Sequence, residues 1–201
     1  MSGNDLPLDD AGGGPLDWLV LAALSVLVCG LAYPALATLA AGAAFPHQAT
    51  GSLVERDGVV VGSALVAQPF TADRYVHPRP SAAGYDMMAL SGSNRGPGNP
   101  QLREAIAARS AAIAAREGVA PARIPPELVT ASGSGIDPHL SPDAARLQAP
   151  RVARARGLPV GQVEALIAAH TKPAALGAFG QPRVNVLLLN LALDDGAAAR
   201  R

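Results

Sequence analysis

The stretch Trp18–Ala44, WLVLAALSVLVCGLAYPALATLAAGAA, holds no charged residue. A helix needs about 20 predominantly apolar residues to cross a bilayer, so this run is long enough to span with some tilt or a kink. Pro34 lies inside it and removes one backbone hydrogen bond, which predicts a bend. Trp18 stands at the front edge, where an amphipathic ring suits the headgroup layer. A cleaved secretory signal fits poorly. Such signals carry a basic leader and an apolar core of about 7–15 residues, whereas residues 1–17 contain four Asp, no Lys and no Arg. A lipoprotein site at Cys29 fails because Val28 is too bulky for the residue before it. The run is read as a retained transmembrane helix, 18–44, behind a disordered Gly- and Asp-rich tail, 1–17. Charge bias says little about orientation: Arg56 is the single Lys or Arg within about 20 residues of either end,.

Outward from the anchor, residues 45–201 are enough for one body with its own core. Formal charges cancel, 16 basic against 16 acidic, and aromatics are 3% of the chain. Neither a basic face nor a stacking surface is available, which excludes nucleic acid as a partner. One Cys excludes a disulfide framework and a multi-Cys metal site,. The four His (His47, His77, His139, His170) show no metal-ligand spacing, and no phosphate-binding loop is present,.

Gly58–Ala67 reads as a strand. Pro69–Arg95 has no period and reads as a long ordered loop of the kind that is usually functional. Asn99-Pro100 starts a helix, as an N-cap followed by proline at the first position, and Gly118 and Pro121 end it. Leu128–Ala131 reads as a short strand. Ser141-Pro142-Asp143 starts a second helix, which Pro150 breaks or kinks. Val160–His170 is a third helix, and Arg183–Asn190 (RVNVLLLN) reads as the best strand. Helices and strands are interspersed without clean βαβ alternation, so the expected class is α+β.

Ser132, Ser134, Asp137 and His139 fall within eight residues. They invite a Ser-hydrolase reading, but the G-x-S-x-G elbow between a strand and a helix is absent, and a Gly-Ser turn leading into the helix at Ser141 explains the string. Arg151, Arg154 and Arg156 form a basic cluster suited to solvent, a partner's carboxylates or lipid phosphates.

Six blocks together carry a resemblance. They are Phe45–Leu53, FPHQATGSL; Gly62-Ser63 with Gln68 and Phe70; Tyr75–Ala82, YVHPRPSA; Ser91–Pro97, SGSNRGP; Val129–Pro142, VTASGSGIDPHLSP, with Gln148–Ala153; and Pro182–Asn190. In this order they resemble KdpC, the C subunit of the bacterial potassium-transporting P-type ATPase complex. The departures are Met87-Met88-Ala89-Leu90 and the acidic front tail.

The resemblance implies a single-pass subunit of the inner membrane, N-terminus cytoplasmic and body extracytoplasmic. It implies assembly with a potassium-channel-like subunit, a P-type ATPase subunit and a small single-helix subunit. It further implies no activity alone, ATP and potassium being handled by the partners, and a chaperone-like rise in the ATPase subunit's affinity for ATP, to which Gln148 is tied. A body outside cannot touch ATP across about 30 Å of hydrocarbon, so such an effect must pass through a conformational equilibrium. The Pro- and Gly-rich loop blocks suit a rigid docking face. The candidate docking residues are Tyr75, His77, Arg79, Ser81, Asn94, Asp137 and Arg151. Two rival readings stay open: a membrane-anchored periplasmic Ser hydrolase using Ser132 or Ser134 with His139, and a direct nucleotide binder with its body in the cytoplasm.

Overall fold

A computed structural model describes residues 13–198 and divides them into two units between Thr50 and Gly51. Residues 1–12 of the expected tail lie outside the described residues.

In the first unit, helix α1 runs Pro15–Ala44 and is long and apolar enough to cross a membrane. The Asp17 carboxylate accepts from the Gly14 N–H at 2.7 Å and so satisfies one free donor of the first turn,. Its large apolar side chains lie exposed all round, which is the surface a hydrocarbon environment requires,. Over Val26–Ala32 the ladder widens to a π-helical register. Pro34 follows within a turn; it cannot donate, and its ring needs space against the preceding carbonyls, which a wider turn provides. A single helical turn, Pro46–Ala49, follows.

The second unit opens with a hairpin, β1 Leu53–Arg56 and β2 Val59–Ser63. Its turn, Asp57-Gly58, has φ of 52° and 76°. Positive φ at both positions is the geometry for which Asp-Gly is favoured in two-residue hairpins. Sequence reading gave one longer strand here, 58–67; pairing ends at Ser63, and Ala64 onward turns away. No helix or strand occurs from Ala64 to Asn99.

Helix α2, Pro100–Glu117, begins where the sequence indicated, with Asn99 Oδ1 accepting from the Gln101 N–H at 2.9 Å. Helix α3, Pro142–Arg156, is capped by Ser141 Oγ, which accepts from the Ala144 N–H. Pro150 does not break it. The proline lies on the exposed side, where water can serve the carbonyl it leaves free,. Helix α4 is Val160–Ala169. A small antiparallel sheet has the order β3 (His139–Leu140), β5 (Arg183–Asn185), β4 (Thr171–Lys172).

Two expected strands are corrected. Leu128 belongs to a helical turn, Pro126–Val129, started by Pro125-Pro126. The run Arg183–Asn190 is a strand only to Asn185 and then becomes helix α5, Val186–Ala198. Asn185 Oδ1 accepts from the Leu188 N–H and caps that helix,. The core gathers Val76, Leu140, Val152, Val163, Ile167, Val184, Leu189 and Leu193 around the alanine face of α3, Ala144, Ala145 and Ala149. The α+β class expected from the sequence is the class found.

Candidate functional site

The segment Asp73–His77 crosses the body in no regular element, yet Val76 is fully buried. Buried backbone polar groups must be paired, and here side chains pair them. The amide of Asn190, on α5, accepts from the Val76 N–H at 2.8 Å and donates to its carbonyl at 2.9 Å. The amide of Gln148, on α3, does the same for His77, at 2.9 and 3.1 Å. Arg151 donates to the carbonyls of Asp73 and Tyr75, and Arg156 Nε donates to that of Arg74 at 2.6 Å. The two amides and two guanidiniums act as a neighbouring strand would.

These clamping side chains are themselves fixed. Gln148 is 0% exposed; its Oε1 also accepts from Arg151 Nη2 at 2.9 Å, and its Nε2 also donates to the Ala144 carbonyl. Arg151 Nε donates to both carboxylate oxygens of Glu117, whose side chain is fully buried, at 3.0 and 3.1 Å. Arg156 pairs with Asp194 at 2.8 Å, and its guanidinium stacks 5.2 Å from the Tyr75 ring centroid. The Tyr75 hydroxyl donates to the same Asp194. A buried ion pair contributes more to a single geometry than to net stability, because desolvation offsets the attraction.

Beyond His77 the chain enters the loop face. Arg79 Nη1 donates to Asp137 Oδ2 at 2.9 Å. Ser81 Oγ donates to the Gly135 carbonyl at 2.6 Å and accepts from the Ala83 and Tyr85 N–H groups. The Ser132 N–H donates to the Pro80 carbonyl. The backbone approach between the loops is close. A Cβ on Gly92 would meet the Gly133 carbonyl at 2.9 Å, and one on Gly135 would lie 2.8 Å from the Ser91 carbonyl and from Ala83 Cβ. Gly135 also has φ of 78°, a region other residues avoid,. The blocks 75–82, 91–97 and 129–142, far apart in sequence, thus form one surface.

Of the candidate residues, Arg79 and Asp137 meet directly in this loop face, and Ser81 ties the same two loops through the Gly135 carbonyl. Tyr75, His77, Gln148 and Arg151 lie together in the clamp behind it. Asn94 stands apart, exposed in a left-handed conformation with φ of 51°. The sequence reading missed Asn190, Glu117 and Asp194; a lone Asn in the apolar run Val186–Leu193 was the available signal.

The hydrolase arrangement is not assembled. Ser132 is buried, its Oγ accepting from the Gly135 N–H, and Ser134 Oγ accepts from the Ile136 N–H. Neither hydroxyl bonds His139, whose nearest carboxylate oxygen, on Asp137, is 3.8 Å away. Burial holds the His139 and His77 rings below the usual histidine pKa; at His77 the Arg151 and Arg116 charges add to it, and at His139 Asp137 opposes it. Among the described residues no cluster of His, Cys, Asp and Glu could hold a metal ion.

An anchor helix ahead of one body, and loop blocks brought together in the order of the resemblance, agree with the comparisons to known proteins. The model of the family described as "KdpC: K+-transporting ATPase, c chain" matches residues 16–195. A protein of Xanthomonas oryzae pv. oryzae is 56% identical over 191 residues, covering 95% of this chain and 91% of its own. Proteins of Gemmatimonas aurantiaca and Sorangium cellulosum are 55% and 54% identical, covering 90% and 88% of this chain and 92% and 94% of their own. Each is named "Potassium-transporting ATPase KdpC subunit". The chain belongs to the KdpC family.

Proposed function

We propose that this chain is the anchored, non-catalytic C subunit of an ATP-driven potassium uptake complex of the bacterial inner membrane. It assembles with a potassium-channel-like subunit, the P-type ATPase subunit and a small single-helix subunit. Its N-terminus is cytoplasmic and its body extracytoplasmic. It raises the ATPase subunit's affinity for ATP by biasing that subunit's conformational equilibrium, not by contacting nucleotide.

The observation that carries the last point is the state of Gln148. Its amide is buried and bonded to His77, Arg151 and Ala144, so no donor or acceptor is left for a ligand,. A residue in that position influences a partner by fixing the segment it grips. Coupling free energies of this kind run about 1–3 kcal/mol, or roughly 5–150-fold in affinity. The test compares the purified complex with and without this subunit, and the subunit alone, in ATP binding. The reading expects the apparent ATP affinity of the complex to depend on the subunit and the subunit alone to bind no ATP. Saturable binding of ATP to the subunit alone at physiological concentrations would restore direct contact.

A further inference from the structure

Helix α2 places Arg109, Ala112, Ile113 and Arg116 along one face, at spacings that repeat every one to two turns,. That face and the start of the loop block line an open pocket of about 230 Å3. Ala112 and Ile113 form an apolar floor, with Pro80 and Leu128 among the walls. Arg109, Arg116, His77 and Tyr85 supply the polar groups, and among the described residues no carboxylate lines the pocket.

The charges are only partly compensated internally. Arg109 uses Nη1 on the Val129 carbonyl at 3.1 Å. Arg116 uses Nε on Glu117 at 2.7 Å, but both oxygens of that carboxylate are also engaged by Arg151. Among the described residues the terminal nitrogens of Arg116 make no hydrogen bond. The Tyr85 hydroxyl is committed to the Arg79 carbonyl. Around His77, two guanidiniums (Arg116 on α2, Arg151 on α3) act against one carboxylate, Glu117 on α2. Burial first, and then this positive excess, disfavour the charged form of the ring,.

We propose that this pocket receives an Asp or Glu side chain of a partner subunit, its carboxylate between Arg109 and Arg116 and its stem against Ala112, Ile113 and Leu128. The uncompensated positive charge selects an anion, and guanidiniums pair carboxylates with well-directed, charge-assisted bonds. The small volume and apolar walls select a short stem over a nucleotide. Because the rim is part of the Tyr75–Ala82 block, the carboxylate arrives on a docked polypeptide; this step rests on the docking reading above. A carboxylate there also offsets the field on His77, so occupancy raises the histidine pKa and binding tightens as pH falls.

The test uses the full chain in detergent micelles and the reconstituted complex. N-acetylglutamate and N-acetylglutamine, both as their α-N-methylamides so that a carboxylate is present only on the Glu side chain, and inorganic phosphate are titrated while the His77 ring resonances are followed by NMR. N-acetylglutamate is expected to bind saturably and raise the His77 pKa, with affinity falling roughly tenfold or more in Arg109→Gln and Arg116→Gln. Folding of each variant is checked by circular dichroism, and Arg116→Lys is expected to restore part of the affinity. Equal binding of N-acetylglutamine, stronger binding of phosphate, or unchanged affinity in both Gln variants would overturn the carboxylate site. In the complex, both Gln variants are expected to weaken retention of the subunit, increasingly so at high salt. Normal retention alongside intact N-acetylglutamate binding would overturn the partner assignment. Loss of retention in Arg79→Ala with none in the pocket variants would leave the docking reading standing and overturn this inference alone.

Discussion

Replacing Gln148 by Ala tests what the residue does. Truncation removes the partner of the His77 N–H, of the His77 carbonyl and of one Arg151 Nη2 N–H, all in a part of the body where Gln148 is 0% exposed. Each orphaned buried group costs about 1–3 kcal/mol, reduced where water enters the space left behind. The three together come to about 3–9 kcal/mol before water enters, against a total of about 5–15 for a typical domain. The assay is hydrogen exchange of the full chain in detergent. Faster exchange is expected first in the Val76 and His77 amides, with global unfolding at lower denaturant than wild type. In the complex, the same variant is expected to lose ATP affinity and assembly together. A variant whose stability lies within about 0.5 kcal/mol of wild type, with normal exchange over 72–78 but lost ATP affinity, would refute the clamp and make Gln148 a ligand contact.

Asn190→Ala removes both partners of Val76, so it is expected to cost about 2–4 kcal/mol and to accelerate the same amides, read by denaturant titration. Gly135→Ala meets positive φ and a carbonyl at 2.8 Å; a loss of at least about 1–2 kcal/mol is expected by thermal unfolding,. The His77 pKa is lower in the folded chain than its unfolded value near 6.5, so below about that pH the unfolded chain binds more protons,. Stability is therefore full above about pH 6.5 and falls on acidification towards the folded pKa, and His77→Gln is expected to flatten that slope. Leu27→Arg is expected to cost about 2.5–3.5 kcal/mol of insertion, read as protein released from the membrane fraction.

The helix starts were legible because capping chemistry is local. Asn99-Pro100 and Ser141-Pro142 carry the cap oxygen and the preset φ in adjacent residues, and each helix begins there. The run RVNVLLLN was misread because a short apolar stretch has no period of its own. Its helical identity shows only when followed onward, where Val186, Leu189 and Leu193 bury the same face. The Asp57-Gly58 hairpin was legible but passed over, since one flank, Leu53–Arg56, is only half apolar. The clamp was the least legible feature. It joins residues more than 70 positions apart through side chain to backbone bonds, and neither spacing nor composition records such a bond. Gln148 and Arg151 were singled out, but Glu117, which holds Arg151, and Asn190, which grips Val76 beside them, sit in helices whose patterns announce only packing.

Coupling without nucleotide contact requires the body to lie across the membrane from the nucleotide. Ala108 is exposed on α2, so a cysteine placed there in a Cys29→Ser background offers one reactive thiol on the body. Labelling of intact spheroplasts with a membrane-impermeant maleimide measures its side directly. Ala108→Cys is expected to be modified fully before lysis, with the complex still showing subunit-dependent ATP affinity. Modification only after lysis would place the body with the nucleotide and contradict coupling across the membrane.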